Sequence, residues 1–396
     1  MKRVLFLGGA AAQVPAIEYA RMAGHFVITA DYLPDNPGHR IAHEYHNCST
    51  TDREGILSLA ASLALDGIVA YASDPAAPTA AFVAEKLGLA SNPFKTVEML
   101  TSKHLYRRFL KENGFSCPSF DSYESWEKMQ VDQERFNLPV VVKPVDSSGS
   151  KGVCVVRDWP ALERAFEEAL VFSRVKRVII EEFVGEDGVQ ILGEGFVWKG
   201  RLILSCFARH RFNVSINGLV PIGGDFPFGN VELKKRLREE LQKLIDLCGL
   251  KMGPMNLEFR IGSSGEVYLM EVAPRNGGNM IPQLITRATG FDMVKNTVDV
   301  AVGLNCAMPE KSEIKGFYSY CVLHSSRDGQ LRRISFSEAL EKCICESNIW
   351  SQPGDHVSRF TGANRSLGVL ICSFSSEEEQ MNITNNISDH VRVEVE

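Results

Sequence analysis

Residues 256–276, NLEFRIGSSGEVYLMEVAPRN, constrain this chain more tightly than any other stretch. Apolar residues alternate on both sides of a Ser-Gly pair, the pattern of an antiparallel hairpin. With Ser264-Gly265 as a two-residue turn, Ser263 faces Glu266, and Glu258 falls directly opposite Glu271. The other face of the ribbon then carries Leu257, Phe259, Ile261, Tyr268, Met270 and Val272, all apolar and bound for a core. Like charges directly across an antiparallel pair oppose the pairing. Two arrangements relieve the conflict. One is a magnesium ion shared by the carboxylates, with waters and substrate phosphates completing its shell. The other is a solvent-exposed pair neutralised by Arg260 and Arg275.

A second stretch, VVVKPVDSSGSKGV at 140–153, runs β-branched residues into Lys143 and then into a loop of Ser, Gly, Asp and Lys. It reads either as a plain connection or as a flap that folds over an anion with the lysine aimed at it. Backbone N–H groups and hydroxyls suit anionic oxygens, and glycine permits close approach.

Strand and helix alternate through the first ninety residues, which predicts a parallel sheet. Strands are expected at 4–7, 26–30 and 67–71, a helix at 16–22, and another opened by Asp74-Pro75 and closed by Gly88. Gly8-Gly9 with Asp31 suggests dinucleotide binding, but GGAAAQ lacks the GxGxxG spacing, so a tight structural turn is the better reading. The absence of that spacing also weighs against a Rossmann oxidoreductase. Farther on, 96–113 is expected to be one helix closed by Gly114, 159–172 another, and 178–183 a strand. Strands 189–198 and 201–209 form a hairpin across Lys199-Gly200, and 231–247 is a charged helix. Between these lies 213–230, NVSINGLVPIGGDFPFGN, whose four glycines and weak periodicity predict a long loop.

The bulk figures exclude several classes. Forty-three basic against forty-nine acidic side chains give a net charge of −6, so the overall field recruits neither nucleic acid nor anionic membrane. No run of 18 apolar residues occurs, which excludes a transmembrane helix. The N-terminal MKRVLFLGGAAA resembles a secretory signal, but glycines break it after four apolar residues, and a strand followed by a turn is expected instead. Ten cysteines without CxxC or Cys/His ligand spacing read as reduced core thiols, which predicts a cytoplasmic chain.

Taken in order, the βα N-terminal region, the glycine loop and the carboxylate hairpin resemble the ATP-grasp superfamily over roughly residues 1–305, and the last part is similar to the small final domain of carboxylate–amine ligases. The resemblance extends to purine-pathway ATP-grasp enzymes, L-amino acid ligases and carbamoyl phosphate synthetase units. It implies an α/β and α+β chain with a Rossmann-like N-terminal domain (1–95), a two-subdomain ATP-grasp fold (96–183 and 184–308) and a small C-terminal α+β domain (309–396).

By the same resemblance, Lys103 and Lys143 reach ATP phosphates, and Ser147, Ser148, Gly149, Ser150 and Gly152 belong to the loop closing over the β- and γ-phosphates. Glu181, Glu182 and the backbone of Phe183 and Val184 bracket the adenine edge, while Asp187 and Gln190 compete for the ribose. Glu258 and Glu271 hold Mg2+ or Mn2+. Many members place an asparagine ligand where this chain has Ala273, and Asn276 is the substitute. Arg275 faces the transferred phosphoryl group or the substrate carboxylate, so Arg275 and Lys143 are the expected catalytic residues. The implied reaction is ATP-dependent ligation of a small-molecule carboxylate to an amine through an acylphosphate, with a homodimer allowed. The alternatives are a carbamoyl-phosphate-forming or carboxylating subunit, and a nucleotide-binding protein without turnover.

Overall fold

The computed structural model describes residues 1–184, 189–310 and 314–396. Strands β1 (Arg3–Leu7), β2 (Phe26–Asp31), β3 (Glu44–Asn47) and β4 (Gly67–Val69) form a parallel sheet in the order β3-β2-β1-β4. Val4, Leu5, Phe6, Leu7, Val27 and Ile28 are wholly buried, as strands covered by helices on both faces must be. The Gly8-Gly9 turn after β1 is tied down from within the chain. Gln13 accepts from Ala10 N at 2.7 Å and donates to Tyr71 O at 3.1 Å, while Asp31 accepts from Leu33 N and Asn36 Nδ2.

Two helix expectations need correction. Asp74 does not cap the next helix, which runs Ala77–Leu87 with Ala76 at its N-cap and ends on Gly88 at φ 69°. The Asp74 carboxylate has a distant partner instead, described below. The helix expected over 96–113 is two, Phe94–Thr101 and Lys103–Glu112, broken at Ser102 in an extended conformation. The break has a visible tie: Lys103 N donates to Val145 O at 2.9 Å, which anchors the second helix to the end of a neighbouring strand.

Strands β5 (Phe120–Tyr123), β6 (Val140–Pro144), β7 (Cys154–Val156) and β8 (Val178–Glu182) form a small sheet in the order β5-β8-β6-β7, packed on helix Leu162–Phe172. A larger sheet is built from β9 (Gln190–Trp198), β10 (Arg201–Asn213), β11 (Asn217–Phe226), β12 (Met252–Ile261) and β13 (Val267–Ala273). It continues without interruption into β14 (Phe317–His324), and the remaining strands are β15 (Gly329–Phe336), β16 (Ile344–Ile349), β17 (His356–Val357), β18 (Ser366–Phe374) and β19 (Val391–Val395). The large sheet has the order β13-β12-β9-β10-β11-β14-β18-β16, so ladder hydrogen bonding crosses residue 308 into the C-terminal part.

β11 overturns the expected long loop at 213–230. Two of its glycines are packing residues. A Cβ on Gly223 would lie 2.7 Å from Tyr320 O, and one on Gly224 would lie 2.6 Å from the Tyr320 ring. Only a strand without side chains there can lie against β14.

Hairpin β12–β13 pairs Glu258 with Glu271, Leu257 with Val272 and Asn256 with Ala273. The register is reached by a different route from the expected one. Gly262 N bonds Glu266 O, so the turn holds three residues, and a bulge between Glu258 and Phe259 shifts the ladder back by one. As a result Val267, Leu269 and Val272 enter the core, while Tyr268 and Met270 do not. Arg107 Nη1 accepts the job of satisfying the bulge carbonyls, donating to Met270 O at 2.9 Å and Leu269 O at 3.4 Å.

Candidate active site

The small sheet and the large sheet face each other across a cleft of about 1190 Å3. Val141 and Val155 from the small sheet and Leu192 and Met270 from the large one contribute apolar lining. Met270 reaches this wall because of the bulge. Glu182, the last residue of β8, and Phe183 and Val184 after it also line the cleft.

Lys143, the penultimate residue of β6, forms an ion pair with Glu181, which also receives Arg107 Nε at 2.9 Å. Glu181 is 1% exposed. Burial would raise its pKa, but Arg107 and Lys143 together hold it down at about 2. Burial pulls the Lys143 ammonium below its ordinary value, against the pull of Glu181. Lys103, at the first position of its helix, donates to Ser147 O and so ties itself to the flap. Ser147, Ser148, Gly149 and Ser150 line the cleft; Ser150 Oγ donates to Leu219 O at 2.9 Å, and Asp146 anchors the base of the flap through Ser173 Oγ and the Arg174 backbone. Gly152, at the end of the flap, adopts φ 70°.

On the opposite wall Glu258 and Glu271 face each other, and the Glu271 side chain remains 36% exposed to the cleft. Burial raises both pKa values, and for Glu271 the neighbouring Glu258 and Asp74 add to the rise. A pair in this condition gains by taking up a proton or a cation. The two arginines that could neutralise it have other partners. Arg260 donates to Val184 O and to Gln190 Oε1, both at 3.0 Å, and stacks on the Phe183 ring. Arg275 grips Asp74 with Nε at 2.6 Å and Nη2 at 2.7 Å, gives Nη1 to Asn276 O, and stays 3.9 Å from Glu271. Asp74 lies 201 residues away in the N-terminal part, and burial, which would raise its pKa, is outweighed by Arg275.

Among the described residues no group of three His, Cys, Asp or Glu is placed to hold a metal ion. Two facing carboxylates, with only a long 3.9 Å ion pair from Arg275 to Glu271, do fit magnesium, which is commonly held by one or two carboxylates while substrate phosphates and waters supply the rest.

Most of the expected site residues share this one cleft: Lys103, Lys143, Ser147, Ser148, Gly149, Ser150, Glu181, Glu182, Phe183, Val184, Gln190, Glu258, Glu271 and Arg275 all line it. Glu182 turns its carboxylate to Asn137, accepting from N at 3.1 Å and Nδ2 at 3.0 Å. Asn276 is wholly buried and off the cleft wall, with Nδ2 on Thr297 Oγ1. Asp187 lies outside the described residues. Sequence reasoning missed Asp74, Arg107, Glu194 and Asn256, and it missed Tyr320 and Ala363, which bring the C-terminal part to the cleft. Only Asn256 carried a local signal, two residues before Glu258 and so on the same face of β12.

Two sheets that close on a cleft bearing paired lysines, a Ser/Gly flap and facing carboxylates define a nucleotide-grasping domain. Residues 100–279 match the family model described as an ATP-grasp domain. It is 32% identical over 189 residues to the formate-dependent phosphoribosylglycinamide formyltransferase of Rhodococcus jostii, a match covering 47% of each chain. The chain thus spans about half the length of that relative. Against the enzyme of the same name from Methanocaldococcus jannaschii it is 24% identical, over 99% of this chain and 97% of the other. Among solved structures, L-amino acid ligase from Bacillus licheniformis superposes with a TM-score of 0.84 at 19% identity, covering 100% of this chain and 99% of that one, which establishes a shared fold. Among the described residues no helix is long and apolar enough to cross a membrane.

Proposed function

We propose that the protein is an ATP- and magnesium-dependent ligase that joins a small carboxylic acid to an amine. The observation that carries this reading is the Glu258–Glu271 pair, set in the same cleft as Lys103, Lys143 and the Ser/Gly flap. The relatives named above are named for formate-dependent formyl transfer to phosphoribosylglycinamide and for ligation of L-amino acids, which supports a carboxylate and an amine as the substrates. All ten cysteines are free, which supports a reducing, cytoplasmic setting.

In this reading the adenine lies in the slot between Val141, Val155, Leu192 and Met270, with Glu182, Phe183 and Val184 at its edge and Gln190, held by Arg260, toward the ribose. Lys103 and Lys143 offset phosphate charge, and residues 147–152 close over the phosphates and exclude water. Glu258 and Glu271 hold the magnesium, and Asn276, wholly buried off the cleft wall, takes no part in holding it. The cation, when bound, neutralises developing charge on the transferred phosphoryl group. A substrate carboxylate oxygen bonds to the γ-phosphorus as the bond to the β-bridging oxygen breaks, giving an acylphosphate and ADP. The amine nitrogen then bonds to the acyl carbon, phosphate leaves, and the amine gives up a proton. No protein nucleophile takes part; positioning and charge neutralisation do the catalysis. Arg275 faces the meeting point of phosphate and carboxylate, held there by Asp74.

A library of amino acids and small carboxylic acids, offered with MgATP, tests the proposal. ADP release together with a condensed product of the expected mass is the predicted result. ATP binding without ADP release on any acid–amine pair would instead identify a nucleotide-binding protein, and bicarbonate-dependent ADP release would identify the carboxylating alternative.

The Asp74–Arg275 grip yields a separate prediction. Asp74→Asn removes the charge that keeps the guanidinium 3.9 Å from Glu271. Arg275 is then expected to pair with Glu271 and compete with the cation. The magnesium concentration for half-maximal turnover should rise about tenfold, the effect of about 1.4 kcal/mol, while ATP affinity without metal stays unchanged. An unaltered magnesium titration would mean that Asp74 does not set the position of Arg275.

A further inference from the structure

Strands β9, β12 and β13 place two rows of side chains across the cleft floor. Leu192, Glu258 and Glu271 form one row, and Glu194, Asn256 and Ala273 form the next. Residues two apart on a strand share a face, so Asn256 stands beside Glu258 on the cleft side, and it lines the cleft. Across from it Ala273 offers no polar atom. Asn256 Nδ2 donates to Glu194 Oε1 at 2.7 Å.

That bond settles the direction of the amide. Glu194 is fully buried, and Oε1 is the oxygen pressed against Gly277, where a Cβ would come within 2.1 Å of it. The Gly277 backbone N–H also bonds the Glu194 carboxyl. An oxygen that faces a backbone N–H and an amide NH2 is an acceptor from both, whatever the protonation of its partner Oε2. Asn256 therefore turns its nitrogen to Glu194 and keeps its carbonyl oxygen out of that bond, on a side chain that shares the cleft face of β12 with Glu258. A hard cation held by only two carboxylates has room for a further neutral oxygen donor.

We propose that Asn256 contributes its side-chain carbonyl oxygen to the cation shared by Glu258 and Glu271, with Glu194 as the positioning residue that fixes the amide's orientation. Gly277 is part of the device, because any larger residue would displace Glu194. This inference rests on the ligase reading only in taking the carboxylate pair as a cation site.

Mn2+ in the protein–ADP complex, counted by electron paramagnetic resonance, provides a readout independent of turnover. Asn256→Ala is expected to weaken Mn2+ binding about tenfold or more. Ala273→Asn added to that variant puts an amide in the same row and should restore most of the loss. Glu194→Ala should behave like Asn256→Ala, whereas Glu194→Gln, which keeps an acceptor oxygen against Gly277, should bind Mn2+ like the parent. A second measurement needs no substitution. Wild-type protein labelled with 13C at the asparagine side-chain carbonyl should show a 13C coupling to bound Mn2+, and its absence overturns the proposal. So does an Asn256→Ala protein whose Mn2+ affinity stays within about twofold of the parent. A parent protein that binds no Mn2+ with ADP would overturn the cation site itself, and the ligase reading with it.

Discussion

Replacing Glu271 with glutamine is expected to lower ATP turnover by about a thousandfold, the upper range for removing one preorganised charge contact, while leaving the chain no less stable than the parent. The two halves of this result have separate causes. Glu271 faces Glu258 directly, and burial and that neighbour already push its pKa upward. A neutral amide of the same shape removes the repulsion, so the metal-free protein loses nothing. The amide also removes half of the carboxylate charge available to a cation. The melting temperature should therefore rise much less with MgATP than it does in the parent, because ligand stabilisation follows the ratio of concentration to Kd. Thermal melts with and without MgATP, run beside an ADP-release assay, read both effects. Near-parental turnover would remove Glu271 from the site.

The carboxylate pair was legible because strand periodicity is two, and a pairing register places every side chain on a face. The details beneath it were not legible. A three-residue turn and a bulge displace the ladder in opposite directions and cancel at Glu258–Glu271. Between them they move Met270 from the expected core face to the cleft wall. The bulge leaves carbonyls to be satisfied by Arg107, more than 160 residues distant, and no local pattern announces such a partner.

β11 was hidden for a related reason. Glycine usually signals a loop, but here it signals contact with Tyr320 on a strand nearly a hundred residues later. Asp74 illustrates the opposite failure. Asp-Pro before an alanine-rich run carries a strong capping signal, yet a buried guanidinium outbids a backbone N–H for a carboxylate. Lysines, flap and facing carboxylates could be read because each has a local sequence signature. Their second partners could not, because those are set by the packing of distant segments.

Glu181→Gln is expected to destabilise the domain by about 3–5 kcal/mol, the cost of stripping one partner from a buried ion pair. Glu181 lies between Arg107, 1% exposed, and Lys143, and both cations are left without their anion by the substitution. Lys143 can respond by losing its proton, since burial already lowers its pKa; Arg107 cannot. Weaker ATP binding should accompany the loss of stability, as a neutral Lys143 no longer offsets phosphate charge.

The pH dependence gives this a sign. The folded pKa of Glu181, about 2, lies below the ordinary 4.5, so its contribution is fully present above 4.5 and disappears as pH falls from 4.5 toward 2. The Glu181→Gln protein should lack that part of the acid-induced loss, and the two stability curves should converge at low pH. Arg107→Met in the Glu181→Gln background removes the stranded guanidinium and is expected to recover part of the stability. Recovery cannot be complete, because Arg107 also donates to the bulge carbonyls of Leu269 and Met270. Denaturant melts at pH 7 and pH 3 on all three proteins provide the measurement. If Glu181→Gln unfolds together with the parent at pH 7, the buried ion pairs are not what holds the two sheets at this cleft.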